Sequence, residues 1–451
     1  MKRMHAIAAG ILLLGMLLTP AFGATAGEPA AATENLLPAF DIFFQTYFYA
    51  ANDRDFDRTE PLYEANGQSV GYVLTTMRPG LTWRPAEILT LRYQLEVGDN
   101  LWSRNDPYGD DPYSEETAVF RHKEIWAEAT TPNGRLGTRL GFQYFYDPTH
   151  LVIDRHIGLA TAFYQVGGQQ VTVGAGQIPD QVYEGFGEET DGLRLSANNF
   201  EQDNFLFGAW SRHPLGAGVL SPGVFFNWDK TEVDRPKGVL SVAANYHAPL
   251  GPIVKLDVDL VGQYGQYLRA GLDNRDVTML AGAAQANVDA EWRLIGLRYN
   301  LLAFTADDGD KLDQFDTGFR YSGWSKSATL ILSLNELHDQ YDNVDERVAA
   351  QDAGLFLADQ EFAVKPTEDV RLFLTLGAGF VLDDTNTDGE SYLGTEGQFG
   401  VAWSPIQKHL TFSLIGGGLL PGEAAGQLQN AIDKTAHDPL YQGQAAMTVT
   451  Y

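Results

Sequence analysis

The chain has no cysteine in its 451 residues. That excludes disulfides, thiolate metal sites, iron–sulfur clusters, haem attachment through CxxCH and cysteine nucleophiles. Basic residues are scarce: Lys and Arg number 31 against 59 Asp and Glu, for a formal net charge of −28. This balance excludes nucleic acid as a partner, because phosphate binding needs a basic surface. Long apolar runs are also missing. The one apolar stretch, Ile7–Leu18, follows Lys2 and Arg3 and precedes Pro20, Ala21, Gly23, Ala24 and Ala26. That order is the pattern of a secretory signal, predicted over residues 1–26, and the stretch is too short to span a bilayer comfortably. No later run reaches the length of a transmembrane helix. A chain without such helices crosses a bilayer only as a closed β-barrel, which satisfies its backbone groups within the sheet.

What the chain does have is alternation. The final segment, Tyr441–Tyr451, places Tyr441, Gly443, Ala445, Met447, Val449 and Tyr451 on one parity. Gln442, Gln444, Ala446, Thr448 and Thr450 fall on the other. This is a period-two strand that ends on an aromatic residue, the assembly signature of bacterial outer-membrane barrels. The same alternation recurs at 88–98, 135–145, 253–260, 293–302 and 370–380. These segments have the length a tilted strand needs to cross a bilayer.

Connections alternate in length as well. Short turns are predicted at Arg84–Glu87, Thr131–Gly134, Gly167–Gly168, Ala248–Pro252, Ala290–Arg293, Ser322–Ser325, Lys365–Glu368 and Ser404–Lys408. Long polar connections are predicted at 52–68, 98–119, 147–157, 179–200, 267–277, 338–352 and 421–438. Two of these, 98–119 and 179–200, are long enough to fold into a lumen. The expected fold is an all-β, up-and-down antiparallel transmembrane barrel over residues 39–451, with short periplasmic turns and long extracellular loops. A short periplasmic segment, 27–38, precedes it, and the alternation gives about 18–20 strands, an even number. Aromatic side chains at strand ends, among them Phe43, Phe44, Tyr47, Tyr49, Trp83, Trp126, Tyr144, Phe145, Trp210, Trp228, Trp292, Trp324 and Trp403, read as membrane-interface girdles.

On this reading the inward parity carries the candidate functional residues. Arg92, Glu96, Glu124, Glu128, Arg135 and Arg139 lie on three consecutive strands. They form either a transverse selectivity field or a self-neutralising brace. Lys255, Asp257, Asp259, Asp289, Glu291, Arg298 and Arg371 form a second set that leans acidic and favours cations. Asp384, Asn386 and Asp388 match the first half of an EF-hand loop, but Thr395 stands at position twelve and Glu396 one place late, so they are a candidate calcium site only in part. Asp307–Asp310 and Asp339–Glu346 are similar acid clusters. The histidines are scattered, without serine partners at triad positions, so catalysis finds no support.

The stretch Lys123–Gln143 joins an acidic strand, a Pro-Asn-Gly turn and the strand Leu136-Gly-Thr-Arg-Leu-Gly-Phe-Gln143, and Asp154-Arg-His-Ile-Gly158 follows. With Leu410–Ala425 it resembles the alginate-export-type outer-membrane barrels. The resemblance implies an outer-membrane channel for a polysaccharide or a small anionic solute. The mixed acids and bases here depart from that family's strongly basic pore. The expectation is therefore a passive pore in the outer membrane of a Gram-negative bacterium. It would contact lipid and lipopolysaccharide, meet the barrel assembly machinery through the strand ending at Tyr451, and need no cofactor beyond a loop-bound calcium. The alternative is a sleeve around a partner such as a multihaem cytochrome.

Overall fold

The computed structural model describes residues 37–52, 69–101, 119–178, 204–229, 237–268, 276–307, 315–316, 326–329, 332, 353–429 and 438–451. The predicted signal, the loop at 179–200, most of 98–119, the acid cluster at Asp339–Glu346, the turn at Ser322–Ser325 and Trp324 lie outside the described residues. The strands are β1 (Ala39–Asn52), β2 (Ser69–Ala86), β3 (Leu89–Leu101), β4 (Val119–Thr130), β5 (Leu136–Tyr146) and β6 (Asp154–Val166). They continue as β7 (Gln169–Ile178), β8 (Asn204–Leu215), β9 (Gly218–Asp229), β10 (Lys237–Pro249), β11 (Val254–Leu268), β12 (Asp276–Glu291) and β13 (Ile295–Phe304). The last are β14 (Phe315–Asp316), β15 (Leu355–Val364), β16 (Val370–Phe380), β17 (Tyr392–Ile406), β18 (Leu410–Pro421) and β19 (Leu440–Thr450).

All belong to one sheet. Each long strand pairs antiparallel with its neighbours in sequence, β13 pairs with β15, and β19 returns to β1 with Phe43 opposite Thr450. The barrel is thus closed by 18 strands, with the two-residue β14 lying parallel to β12 beside the ring. The 18-strand count sits at the low end of the expected range. The predicted turn at Ser322–Ser325 would have added two strands. Instead β13 pairs directly with β15, and part of the connection between them lies inside the barrel. The last residue completes the seam: the Tyr451 N–H donates to the Ile42 carbonyl at 2.9 Å, and the Ile42 N–H donates to that of Tyr451 at 3.0 Å.

Local chemistry sets the turns. In the Thr131-Pro-Asn-Gly turn, the Gly134 N–H donates to the Thr131 carbonyl at 2.8 Å, and the Thr131 hydroxyl and the Arg135 N–H both donate to Asn133 Oδ1. Between β6 and β7, Gly167 and Gly168 both hold positive φ, 56° and 80°, as a two-residue turn matched to strand twist requires. At the opposite rim, the seven-residue connection 147–153 is organised by Asp147. Its carboxylate accepts from the Thr149 N–H and hydroxyl and from the Val152 and Ile153 N–H groups at 2.5–2.9 Å. Burial pushes this carboxyl above the usual range, and those four donors oppose the rise.

The outer face is apolar. Leu140, Leu260, Leu280, Leu301, Leu376, Phe399 and Leu414 are each at least half exposed, one continuous belt that water does not tolerate. The inner face is divided into two zones. Toward the short-turn rim it carries charge and amides. Toward the long-connection rim the same parity becomes apolar, with Ile157, Leu159, Leu206, Phe225, Met279, Leu302, Phe304 and Leu357 all nearly inaccessible and joined by Leu151 and Ile153 from the connection above. The inward parity is therefore not polar throughout, as the sequence had suggested.

Candidate functional site, the charged inner wall and the segment across it

Two groups of charged side chains face each other across the barrel. The first spans β1–β5. Arg92 on β3 bridges to both sides. Its guanidinium holds Asp41 of β1 through two bonds, at 2.5 and 2.8 Å. It also donates to Thr82 of β2 and to Glu124 of β4, each at 3.1 Å. Glu96 on β3 is 1% exposed and bonds Arg78 of β2, while Lys123 of β4 stands 3.1 Å away. Arg139 on β5 donates to Glu128 of β4 at 2.6 Å and stacks on the Trp126 ring at 4.2 Å. Four cations and four carboxylates on this wall are mutually paired. Of the expected residues, Arg92 meets Glu124 and Arg139 meets Glu128 on this wall, and Glu96 meets Arg78 and Lys123 instead. Arg135 stands just before β5 in the Thr131 turn, where its N–H donates to Asn133 Oδ1 at 3.1 Å.

The second group spans β10–β17. Asp289 meets Arg298 at 2.7 Å across β12 and β13, and Glu361 meets Arg371, whose guanidinium also lies over Phe373. Lys255 and Glu291 sit at the short-turn rim, exposed, with Glu291 paired to Lys365. Asp257 and Asp259 on β11 both receive the amide of Asn245 on β10, at 3.0 and 2.8 Å. His247 Nδ1 lies 3.1 Å from the second oxygen of Asp257. A relay of side chains runs alongside: Gln285 donates to Asn300 at 2.9 Å, and Asn300 donates to Asp359 at 2.8 Å.

Across this second wall lies part of the connection between β13 and β15. The Lys326 ammonium sits 2.5 Å from both Asp257 and Asp259. Ser327 donates to Asp359 at 2.8 Å, as does the Ala328 N–H at 3.2 Å. Gln398 of β17 donates to the Ala328 carbonyl at 2.6 Å, and the Leu332 N–H donates to Glu396 at 2.8 Å. On β16, Gly377 makes room for the segment, because a Cβ there would stand 2.4 Å from Thr329 Cγ2. Away from the rim, and among the described residues, this wall gathers six carboxylates (Asp257, Asp259, Asp289, Asp359, Glu361, Glu396) and three cations (Arg298, Lys326, Arg371).

Several of these residues escaped the sequence reading. Asp41, Arg78, Asp359 and Glu361 follow the inward parity of their own strands and were legible in principle. Lys326 was not, because nothing local marks a connection that folds inward. The girdle expectation is corrected at six positions. Phe43 lies under Arg78, Tyr47 and Tyr49 stack on the inner face, Trp126 carries Arg139, and Phe145 and Trp210 pack with Phe225 inside the barrel. Trp83, Tyr144, Trp292 and Trp403 are exposed on the outer face, and Trp228 pairs with Phe205 there. The calcium expectation finds no built site. Asp384 and Asp388 flank a 3₁₀ turn over Thr385–Thr387, the side chain of Asn386 lies outside the described residues, and Glu396 faces the lumen. No group of three or more His, Asp or Glu among the described residues is placed to hold a metal.

No family model matches the chain, and no curated protein sequence matches it either. Solved structures do. The fold is a closed 18-stranded barrel similar to those of solved outer-membrane porins. OccK9 (OpdG) of Pseudomonas aeruginosa superposes with a TM-score of 0.57 at 10% identity, covering 92% of this chain and 98% of that one. OpdK of the same organism, solved with vanillate, gives 0.56 at 10% identity over 92% and 98%. A BenF-like porin from Pseudomonas fluorescens Pf-5 gives 0.54 at 11% over the same shares. At this identity the likeness is one of fold.

Proposed function

We propose that this chain is a passive outer-membrane channel of a Gram-negative bacterium that passes small hydrophilic solutes and favours cationic and neutral ones. The observation that carries this reading is the second wall: carboxylates and amides line the inside of a closed barrel whose outside is an apolar belt, and one segment narrows the passage. Charge on the walls of a confined aqueous path selects ions, and here the excess is acidic. The short turns face the periplasm and the long connections face outward, as in barrels of this type. Residues 1–26 direct export, the strand ending at Tyr451 engages the assembly machinery, and the outer rim meets lipopolysaccharide. Polysaccharide export is not carried forward, because a polyanion needs a continuous basic track and the first wall's cations are already paired with acids. The sleeve reading also lacks support, since the chain's own segment lies across the lumen.

The test is single-channel recording of the refolded full chain in planar bilayers, under a salt gradient and with amino acids and sugars as solutes. Discrete current steps with a reversal potential on the cation side are expected. Folded protein that never conducts would overturn the reading.

A further inference from the structure

We propose that Lys326 sets the ion selectivity of the lumen, as a tethered counter-ion to Asp257 and Asp259. The inference rests on the channel reading above and deepens it. On the first wall the four cations Arg78, Arg92, Lys123 and Arg139 are fixed to strands and paired with four carboxylates on neighbouring strands, so those pairs contribute little net charge. On the second wall, Asp289 with Arg298 and Glu361 with Arg371 are likewise strand-borne pairs. Asp257 and Asp259 differ. Their cation comes from outside the sheet: the Lys326 ammonium lies 2.5 Å from each. Among the described residues, Asn245 and His247 bond this acid pair, Gln285 and Asn287 stand opposite it on β12, and Lys255 lies on the same parity of β11 at the exposed rim; the three amides carry no charge. Lys326 is also the one lysine or arginine, among the described residues, that a long connection brings to the inner wall. It is held there by the contacts of its neighbours Ser327, Ala328 and Leu332 with Asp359, Gln398 and Glu396.

One ammonium shared by two carboxylates leaves a single negative charge at this point, and removing it leaves two. Asp259 is fully buried, and low-dielectric walls focus the field of such groups on a passing ion. Lys326 is thus a specificity-determining residue, and its effect is opposite in sign to that of the acids it holds. If it only anchored the segment, its removal would change the bore and leave selectivity alone.

The full chain is refolded, its folding is checked by heat-modifiable gel mobility, and reversal potentials are read in planar bilayers under a potassium chloride gradient. Lys326→Met is expected to raise the cation-to-anion permeability ratio about tenfold, and Lys326→Arg should keep the wild-type value. Asp257→Asn with Asp259→Asn, in the presence of Lys326, should shift the ratio the other way, toward anions. Adding Lys326→Met to that pair removes one positive charge again and should move the ratio back toward cations by about tenfold, to a value still below wild type. The proposal is overturned if Lys326→Met changes conductance but not reversal potential, or if the acid-pair variant shifts in the same direction as Lys326→Met. The acid-pair arm decides by itself if Lys326→Met does not fold. A folded barrel with no current in any variant, wild type included, overturns the channel reading, and this inference falls with it.

Discussion

Glu96→Gln should destabilise the barrel by removing the anion that two cations share. Glu96 is 1% exposed, Arg78 bonds it from β2, and Lys123 stands 3.1 Å away from β4. The amide keeps the shape and one acceptor but not the charge, so Arg78 and Lys123 lose their common carboxylate. Removing one partner of a fully buried pair costs about 3–5 kcal/mol. Arg78 and Lys123 retain 33% and 20% exposure, and screening by lumenal water brings the expected loss to about 2 kcal/mol. With a urea slope of about 3 kcal/mol per molar, the unfolding midpoint falls by about 0.7 M. Tryptophan fluorescence during urea titration in lipid vesicles reads this directly. Adding Arg78→Met should cost less than the sum of the two single changes, with a coupling of about 1–2 kcal/mol. A midpoint within about 0.15 M of wild type, or strict additivity, would refute the argument that the ladder holds these strands together.

Arg92→Ala with Arg139→Ala removes the guanidinium partners of Asp41, Glu124 and Glu128, and the reversal potential in planar bilayers should move toward cation selectivity. An unchanged potential would mean that those arginines only brace the wall. Leu140→Arg places a charge on the outer face at a position 64% exposed. It should cost about 2–4 kcal/mol and lower the yield of folding into vesicles, and a wild-type yield would contradict the lipid-facing assignment of that parity. Gly377→Leu fills the notch that Thr329 occupies, so the inserted segment should leave the wall and unitary conductance should rise. Gly443→Leu, where an added Cβ meets nothing within 4 Å, should leave conductance unchanged.

Period-two alternation is a local property, so the outward and inward parities could be read from the residues wherever a segment alternates cleanly. Leu136, Leu140 and Tyr144 lie outside with Arg139 and Gln143 inside, and Leu297, Tyr299 and Leu301 oppose Arg298 and Asn300. The terminal strand was legible for the same reason, and its closure onto β1 follows from the need of every edge in hydrocarbon to find a partner. Which inward side chains meet depended on register. Arg92 reaches Asp41 from 51 positions away, a contact that no spacing rule marks. What fills the inside was decided only by the tertiary structure. Alternation says that a residue faces inward, but not whether water or another stretch of chain awaits it there. Phe145 and Trp210 therefore read as girdle residues although they pack in the inner apolar zone, and Trp126 does so although it carries Arg139 on the inner wall. Lys326 likewise reads as part of a connection, yet its ammonium lies between two aspartates whose strand ends 58 residues before it.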